Sequence, residues 1–176
     1  MTIEFKNTAL KDETLIHSWL EKPHVHLWWD EQTEHSDGGA TRKDLFKFIR
    51  KQPSIFTHWI AYQDNIPFAY LLTSNAHDNE CEFFHPFLES TGQNLTVDFF
   101  IGDEVFLNKG LSWQTLQVFA KAASQDISAL LVDPEAANEK AIHIYNKAGF
   151  IKVGEFVRKE GSLVNKLHFV MKMKLT

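Results

Sequence analysis

The sequence predicts an α/β (α+β) domain in which helices cover both faces of one mixed, mostly antiparallel sheet. Residues 96 to 147 read strand, helix, strand, helix, an order that predicts two parallel strands joined by a right-handed crossover. Two apolar segments, Phe56 to Gln63 and Ile66 to Thr73, are joined by Asp64-Asn65, which predicts an antiparallel hairpin. Because 176 residues are about the length of one domain, we expect residues 1–176 to form a single domain.

One strand and two helices are predicted before this hairpin. Ile3 to Asn7 is the first strand. Apolar residues between positions 15 and 20 recur at helical spacing and predict a helix that ends before Pro23. Thr41 and Asp44, three residues apart, form a capping box, so we expect a second helix to begin there.

After the hairpin, the sequence patterns that predict helices and strands become clearer toward the C-terminus. Residues 75–94 are polar except for Phe83, Phe84 and Phe87, and predict a long loop or a strand with an insertion. We expect these three rings to lie in the core or at a subunit contact. Further strands are predicted at Thr96 to Ile101, Ile127 to Val132, Phe150 to Val157 and Leu167 to Met173, and helices at Leu111 to Ser124 and Ala136 to Lys147, the latter ending at Gly149.

Composition excludes several classes of protein. With 44% hydrophobic and 23% charged residues, the chain is typical of a compact globular protein. The longest apolar run, Phe68 to Leu72, is too short to span a bilayer, and the first residues lack the order of a signal peptide. A single cysteine, Cys81, cannot form an internal disulfide. We therefore expect a cytoplasmic protein with no membrane partner.

Charge is distributed unevenly along the chain. No Lys or Arg occurs between Lys51 and Lys109, whereas eight acidic residues do. Nucleic-acid binding needs clustered cations, so this half argues against a DNA or RNA partner. The acidic residues either attract a cationic partner or form a solvated surface.

Two stretches carry chemistry. Leu107 to Ser112 joins a strand to a helix, where free backbone N–H groups form either a phosphate site or an ordinary turn. Between Asn138 and Phe150 the chain reads Asn-x-x-Ala-Ile-x-x-Tyr-x-Lys-Ala-Gly-Phe. This pattern resembles the second coenzyme A motif of the Gcn5-related N-acetyltransferase (GNAT) superfamily, and its specificity is high.

Within that superfamily the sequence is most similar to the aminoglycoside 6'-N-acetyltransferases, from about residue 15 to residue 174. His24 to Asp30 resembles their His-x-x-x-Trp-Trp segment, and Asp98 and Asp133-Pro134 match acidic positions of the family. The sequence departs from the family at the first coenzyme A loop, where Gly-Lys-Gly-x-Gly becomes residues 108–112, Asn-Lys-Gly-Leu-Ser. Because Asn tolerates left-handed backbone angles and Ser is small, the phosphate cradle can survive.

The resemblance implies the GNAT fold, with the parallel strands splayed around the acyl-coenzyme A site, and acetyl-coenzyme A (acetyl-CoA) as co-substrate. We expect no metal, because His24 and His26 have no evident third ligand. The positions that correspond to cofactor-binding residues are Phe100, Ile101, Asn108, Lys109, Gly110, Leu111, Ser112, Asn138 and Tyr145.

Acetyl transfer to an amine needs a deprotonated amine and a proton for the leaving thiolate. By the resemblance, Tyr145 donates that proton, and Asp98 takes the amine proton, directly or through water, or holds the ammonium in place. The ordinary alternatives are a half-buried aromatic ring for Tyr145 and a solvent-facing strand residue for Asp98.

Four residues are predicted to contact the substrate. Asp98 handles the reacting amine, whereas Asp133 binds amines remote from it, because a carboxylate paired with an ammonium opposes deprotonation of that group. Trp28 and Trp29 either wall a sugar-sized pocket or cap the hydrophobic core.

We therefore predict an acetyl-CoA-dependent N-acetyltransferase that acts on a primary amine of a cationic small molecule and resembles the aminoglycoside 6'-N-acetyltransferases. An alternative within enzymes is acylation of a siderophore hydroxylamine or of a protein α-amine. An alternative of another class is a non-catalytic acyl-CoA-binding module, motivated by the altered loop at residues 108–112. A monomer and a homodimer are equally compatible with the sequence.

Overall fold

The structure is a computed structural model that describes residues 2–29, 40–77, 79–123, 125–159 and 164–175. The strands are β1 (Ile3–Asn7), β2 (Thr57–Gln63), β3 (Ile66–Asn75), β4 (Gln93–Ile101), β5 (Ile127–Val132), β6 (Ile151–Val157) and β7 (Leu167–Lys174). The α-helices are α1 (Glu13–Leu20), α2 (Pro23–His26), α3 (Ala40–Ile49), α4 (Leu111–Ala123) and α5 (Glu139–Ala148). Short 3₁₀ helices span Leu10–Asp12, Asn79–Phe87 and Glu104–Phe106.

The seven strands form one mixed sheet in the order β1-β2-β3-β4-β5-β7-β6. Strands β4 and β5 are parallel, whereas β1–β2, β5–β7 and β6–β7 are antiparallel. The parallel register ends at Thr96↔Leu131, although β4 continues to Ile101. The parallel pair therefore separates just before Asp98, and the predicted sheet is confirmed.

The chain divides into two compact units, residues 1–72 with 99–109 and residues 73–98 with 110–176. In the first unit, the apolar faces of α1 and α3 and the inner faces of β2 and β3 share one core. The ring of Trp19 lies on Gly102, where a Cβ atom would be only 2.0 Å from the indole. Because that approach requires glycine, this contact fixes how α1 lies on its own unit. Whether residues 1–176 behave as a single domain stays a prediction.

The turn between β2 and β3 agrees with its sequence. Asp64 and Asn65 both have positive φ, 48° and 69°, as a two-residue hairpin turn with right-handed twist requires. The capping-box prediction is wrong, because α3 begins at Ala40 and Thr41 lies inside it. The Asp44 carboxylate instead accepts a hydrogen bond from His58 at 2.8 Å.

In the second unit, the core is built on β5 and β7 and includes Phe84, which is 1% exposed. The prediction of a loop or strand for this region is wrong in form, because Phe83, Phe84 and Phe87 belong to the 3₁₀ helix Asn79–Phe87. The Phe83 ring stacks on Phe156 with centroids 4.0 Å apart. This packing makes the aromatic group part of the core, while the side chain of Cys81 lies outside the described part of the chain.

Helix α5 begins three residues later than predicted. The Asn138 side chain accepts a hydrogen bond from the backbone N–H of Ala141 at 3.1 Å, so Asn138 is the N-cap. Gly149 ends the helix with φ 114°, as predicted. No helix within the described ranges is long and apolar enough to cross a membrane.

Candidate active site

Two carboxylates lie at the C-terminal ends of the parallel strands. Asp98 follows the last residues of β4 that pair with β5, and Asp133 directly follows β5. The carboxyl ends of parallel strands are where ligands bind in open α/β sheets, because the strands diverge there. The Asp98 side chain is exposed, whereas that of Asp133 is 16% exposed.

Asp133 is held by the hairpin of β6 and β7. The Arg158 guanidinium Nη2 donates to Asp133 Oδ2 at 3.2 Å. The buried His168 donates from Nδ1 to the backbone carbonyl oxygen of Asp133 at 2.7 Å. Desolvation lowers the pKa of His168, so the imidazole is neutral at physiological pH. Neither contact was anticipated from the sequence, since Arg158 and His168 lie 25 and 35 residues away.

Both carboxyls titrate above the ordinary carboxyl range. Although Asp98 is accessible to solvent, the surrounding protein reduces its hydration, and this desolvation with the nearby Asp133 charge raises the pKa of Asp98 to about 7. Desolvation likewise raises the pKa of Asp133 to about 6, while Arg158 opposes that rise. The two carboxyls therefore sense each other's charge and belong to one electrostatic site.

Tyr145 belongs to the same site. It lies on α5, half-buried, with its ring at the edge of Phe150 and centroids 5.5 Å apart. Desolvation, followed by the charges of Asp98 and Asp133, raises the pKa of Tyr145 well above that of free tyrosine. Its hydroxyl is therefore protonated at neutral pH and available as a donor.

The loop at residues 108–112 has left-handed backbone at two positions. Asn108 and Gly110 adopt left-handed φ angles of 60° and 76°, and α4 begins at Leu111. A Cβ on Gly110 would have one neighbour within 4 Å, Trp113 Nε1 at 3.5 Å, so none of the described residues fills the space beside it. The buried Trp113 N–H makes no hydrogen bond to the described residues. An unfilled loop with an unpaired donor and a helix N-terminus fits a phosphate group.

Several predicted cofactor residues offer backbone groups only. The side chains of Phe100, Ile101 and Leu111 are buried at 8%, 5% and 3% exposure. The Ile101 carbonyl already accepts a hydrogen bond from His24 Nε2 at 2.8 Å. Lys109 lies with Nζ 5.7 Å from the Phe106 ring, and Ser112 is half-buried in the first turn of α4. Their contacts with a cofactor stay predictions.

The two adjacent tryptophans have different surroundings. Trp28 is 44% exposed. Trp29 packs edge-on against Phe100, with centroids 4.7 Å apart, and its Nε1 donates to Thr41 at 2.9 Å. Trp29 therefore caps the core of its unit, and the ring of Trp28 is exposed. Asp30, the last residue of the matched segment, lies outside the described residues.

Two carboxylates and a protonated tyrosine at a diverging parallel pair, with a loop that fits a phosphate group, are compatible with an acyl-CoA-dependent acyltransferase. Residues 8–158 match the family model for the acetyltransferase (GNAT) domain. The chain belongs to the GNAT family of acetyltransferases. No group of three or more potential metal ligands occurs among the residues that the structure describes.

The chain is similar to several proteins of known function or structure. The crystal structure of an aminoglycoside N(6')-acetyltransferase from Legionella pneumophila is 34% identical, with a TM-score of 0.78 over 98% of this chain and 91% of that one. Aminoglycoside N(6')-acetyltransferase type 1 from Klebsiella pneumoniae is 22% identical over 156 residues, 87% of this chain and 76% of that protein. The structure of AAC(6')-Ib in complex with paromomycin and acetyl-CoA is 19% identical, with a TM-score of 0.77 over 99% of this chain and 94% of that one, and shares the fold.

Proposed function

We propose that this acetyltransferase moves the acetyl group of acetyl-CoA to a primary amine of a cationic small molecule, such as the 6' amine of an aminoglycoside. The observation that carries the proposal is the pair of carboxylates, Asp98 and Asp133, beside a protonated Tyr145. Carboxylates attract and orient ammonium groups. The 34% identity to the Legionella aminoglycoside N(6')-acetyltransferase supports this class of acceptor.

Asp98 is the proposed base. An acceptor ammonium must lose a proton before its nitrogen can attack, and a base works best when its pKa is near the operating pH. A pKa of about 7 meets this condition, whereas a carboxyl at its usual value near 4 would be a weak base. Asp98 therefore accepts the amine proton, directly or through one water.

Tyr145 is the proposed acid. Acetyl-CoA, when bound, supplies the acetyl group as a thioester. As the new C–N bond forms and the C–S bond breaks, the Tyr145 hydroxyl gives its proton to the sulfur, and the tyrosinate takes back, directly or through water, the proton that the acetylated nitrogen loses. The raised pKa keeps this proton on the tyrosine throughout the neutral range. One positioned proton donor of this kind contributes about 10²- to 10⁴-fold to a rate.

We propose that backbone groups of the loop at residues 108–112 and of the first turns of α4 and α5 hold the cofactor. The N–H groups of Lys109 to Ser112 bind the pyrophosphate, supported by the left-handed Asn108 and Gly110. Phe100, Ile101 and Asn138 are proposed as further cofactor contacts, as the family resemblance implies.

Acceptor contacts are proposed for Trp28, Trp29, Asp98 and Asp133. Asp133 is assigned the amines remote from the reacting one, because the acid that pairs with an ammonium opposes its deprotonation and must differ from the acid at the reacting amine. The exposed Trp28 ring suits a sugar ring or an ammonium face.

An acetyl-transfer screen tests this function. Release of free thiol from acetyl-CoA is followed with kanamycin, spermidine, hydroxylamine and a peptide with a free N-terminus, and the acetylated position is assigned by NMR. We expect turnover with kanamycin and modification of its 6' amine. Turnover with only hydroxylamine or only the peptide would contradict a cationic small-molecule acceptor and would identify that compound's class as the acceptor. Acetyl-CoA binding without any turnover would indicate a non-catalytic module.

We further propose a cytoplasmic protein that acts as a monomer or homodimer and whose activity confers aminoglycoside resistance. A lone cysteine and an acetyl-CoA co-substrate support this location. Cell fractionation tests the location, sedimentation tests the oligomeric state, and the inhibitory concentration of kanamycin toward a susceptible bacterium that expresses the protein tests the resistance.

A further inference from the structure

Arg158 forms an ion pair with the carboxylate to which the proposed function assigns the remote amines of the acceptor. Its Nη2 lies 3.2 Å from Asp133 Oδ2, and its side chain is 30% exposed. An ammonium of the acceptor and this guanidinium cannot both take the same position on that oxygen. We propose that Arg158 is a specificity-determining residue that competes with the acceptor for Asp133 and thereby weakens the binding of polycations, an inference that rests on the proposed function.

The backbone holds Arg158 in place for this role. Its N–H donates to the Lys166 carbonyl at 3.0 Å, and its carbonyl accepts from the Asn165 N–H at 2.8 Å. These bonds continue the ladder of β6 and β7 one step beyond Val157↔Leu167. Because the backbone is fixed and the guanidinium is partly exposed, the side chain is the element that yields to an acceptor.

The same hairpin neutralises a second acid. Lys166 Nζ lies 3.5 Å from Glu135 Oε1, so two cations of the hairpin face two acids of the segment after β5. His168 also faces Asp133 but is neutral, and Tyr145 carries no charge.

Asp98 has no cation in contact with it. It makes no hydrogen bond or ion pair with a side chain in the described part of the chain, and Arg158 acts on it only through space, where its charge partly offsets the rise that desolvation causes in the pKa of Asp98. Among the described residues, these three acids and two cations therefore leave about one negative charge for an approaching acceptor.

This charge count predicts which acceptors gain when Arg158 is removed. A polycation places one ammonium at Asp98 and a second at Asp133. Only the second ammonium displaces the Arg158 guanidinium from the oxygen it binds, although the Arg158 charge also acts on Asp98 through space. Loss of the partly exposed competing ion pair should therefore tighten polycation binding by roughly three- to tenfold and change the binding of a monoamine, which needs Asp98 alone, by less than about twofold.

The test compares Arg158→Gln with Lys159→Gln, a matched control that removes one positive charge from the adjacent exposed position. The KM and the calorimetric Kd are measured at pH 8, where both carboxyls are ionised in the wild type, for kanamycin and for the monoamine tyramine. We expect Arg158→Gln to lower the KM and Kd of kanamycin three- to tenfold, with tyramine within twofold. Lys159→Gln should change neither value by more than twofold.

Three results would overturn the inference: a higher kanamycin KM in Arg158→Gln, an equal change for tyramine, or an equal change in Lys159→Gln. If Arg158→Gln fails to fold, Arg158→Lys, which retains the charge, still tests the inference. It should bind kanamycin as weakly as the wild type does. If the wild type acetylates kanamycin but Arg158→Gln binds it no more tightly, the inference fails alone. If no amine is acetylated, the proposed function fails, and tighter kanamycin binding by Arg158→Gln than by Lys159→Gln still supports the competition.

Discussion

His58 donates its Nε2 hydrogen to the carboxylate of Asp44 at 2.8 Å, and this bond ties α3 to the second strand of its unit. The other ring nitrogen, Nδ1, accepts the hydroxyl hydrogen of Tyr70. The Tyr70 ring packs in turn against Trp29 and Phe100. A buried hydrogen-bond chain therefore supports two residues that we assign to ligand binding.

Replacing His58 by Phe should destabilise the protein. The substitution keeps an aromatic ring but removes both hydrogen bonds, leaving the Tyr70 hydroxyl and a lone pair of Asp44 without that partner. Each buried polar group left unsatisfied costs about 1–3 kcal/mol, so we expect a loss of about 2–4 kcal/mol in the free energy of unfolding. Urea unfolding measures it, with His77→Asn on the exposed surface as the control. A loss below about 0.5 kcal/mol would contradict this role.

The stability difference between the wild type and His58→Phe should depend on pH. Desolvation lowers the pKa of His58 in the folded state below its ordinary value of 6.5. Between these two pKa values the unfolded chain binds more protons, so the wild type loses stability as the pH falls below 6.5. Unfolding at pH 7.5 and 5.5 should give a smaller difference at pH 5.5. A difference that grows on acidification would mean that the folded state favours the protonated imidazole.

The pH dependence of turnover should show Asp98 acting as a base. Since its pKa is raised to about 7, kcat should fall as the pH drops through neutrality, well above the range of an ordinary carboxyl. Asp98→Asn should lower kcat about 10²- to 10⁴-fold and abolish this limb. Asp126→Asn, an exposed carboxyl elsewhere in the same unit, is the control. If kcat of Asp98→Asn still falls in the same way as the pH drops through neutrality, the titrating group is not Asp98.

Replacing Tyr145 by Phe should separate binding from chemistry. The substitution removes the hydroxyl and keeps the ring against Phe150, so the Kd of acetyl-CoA should stay within about twofold while kcat falls about 10²- to 10⁴-fold. Tyr62→Phe, which removes a hydroxyl from β2, should leave kcat unchanged. Pre-steady-state thiol release provides the measurement. A rate within threefold of the wild type would make the Tyr145 hydroxyl dispensable.

Replacing Gly110 by Ala should weaken cofactor binding. Its φ of 76° is strained for any L-residue, and the added methyl would fill the space beside the loop. We expect the Kd of acetyl-CoA to rise about tenfold or more, a loss of about 1.4 kcal/mol. Gly149→Ala carries a similar strain at φ 114° and should cost stability without changing that Kd. Calorimetry measures the Kd of acetyl-CoA for both variants and the wild type. Equal Kd values for a folded Gly110→Ala and the wild type would show that the pyrophosphate binds elsewhere.

Local patterns alone were sufficient for most of the fold. The Asp64-Asn65 turn, the end of α5 at Gly149 and the parallel pair of β4 and β5 each depend on a few neighbouring residues, and each is confirmed. The family followed from the Asn138 to Phe150 motif, whose residues lie within one helix and its cap. Such signals survive in the sequence because backbone geometry constrains residues that are close along the chain.

Tertiary structure decided the partners of the polar side chains. Asp44 has the spacing of a capping-box residue, yet a buried imidazole outcompetes the helix end for its carboxylate. Asp133 was predicted as an acceptor-binding acid, and the structure pairs it with Arg158, 25 residues away at the end of β6. Periodicity carries no information on which distant residues meet when strands assemble. The pKa values and the net charge of a site depend on these contacts between distant residues. The sequence by itself therefore determined the class of chemistry, whereas the assembled sheet determined the electrostatics of the site.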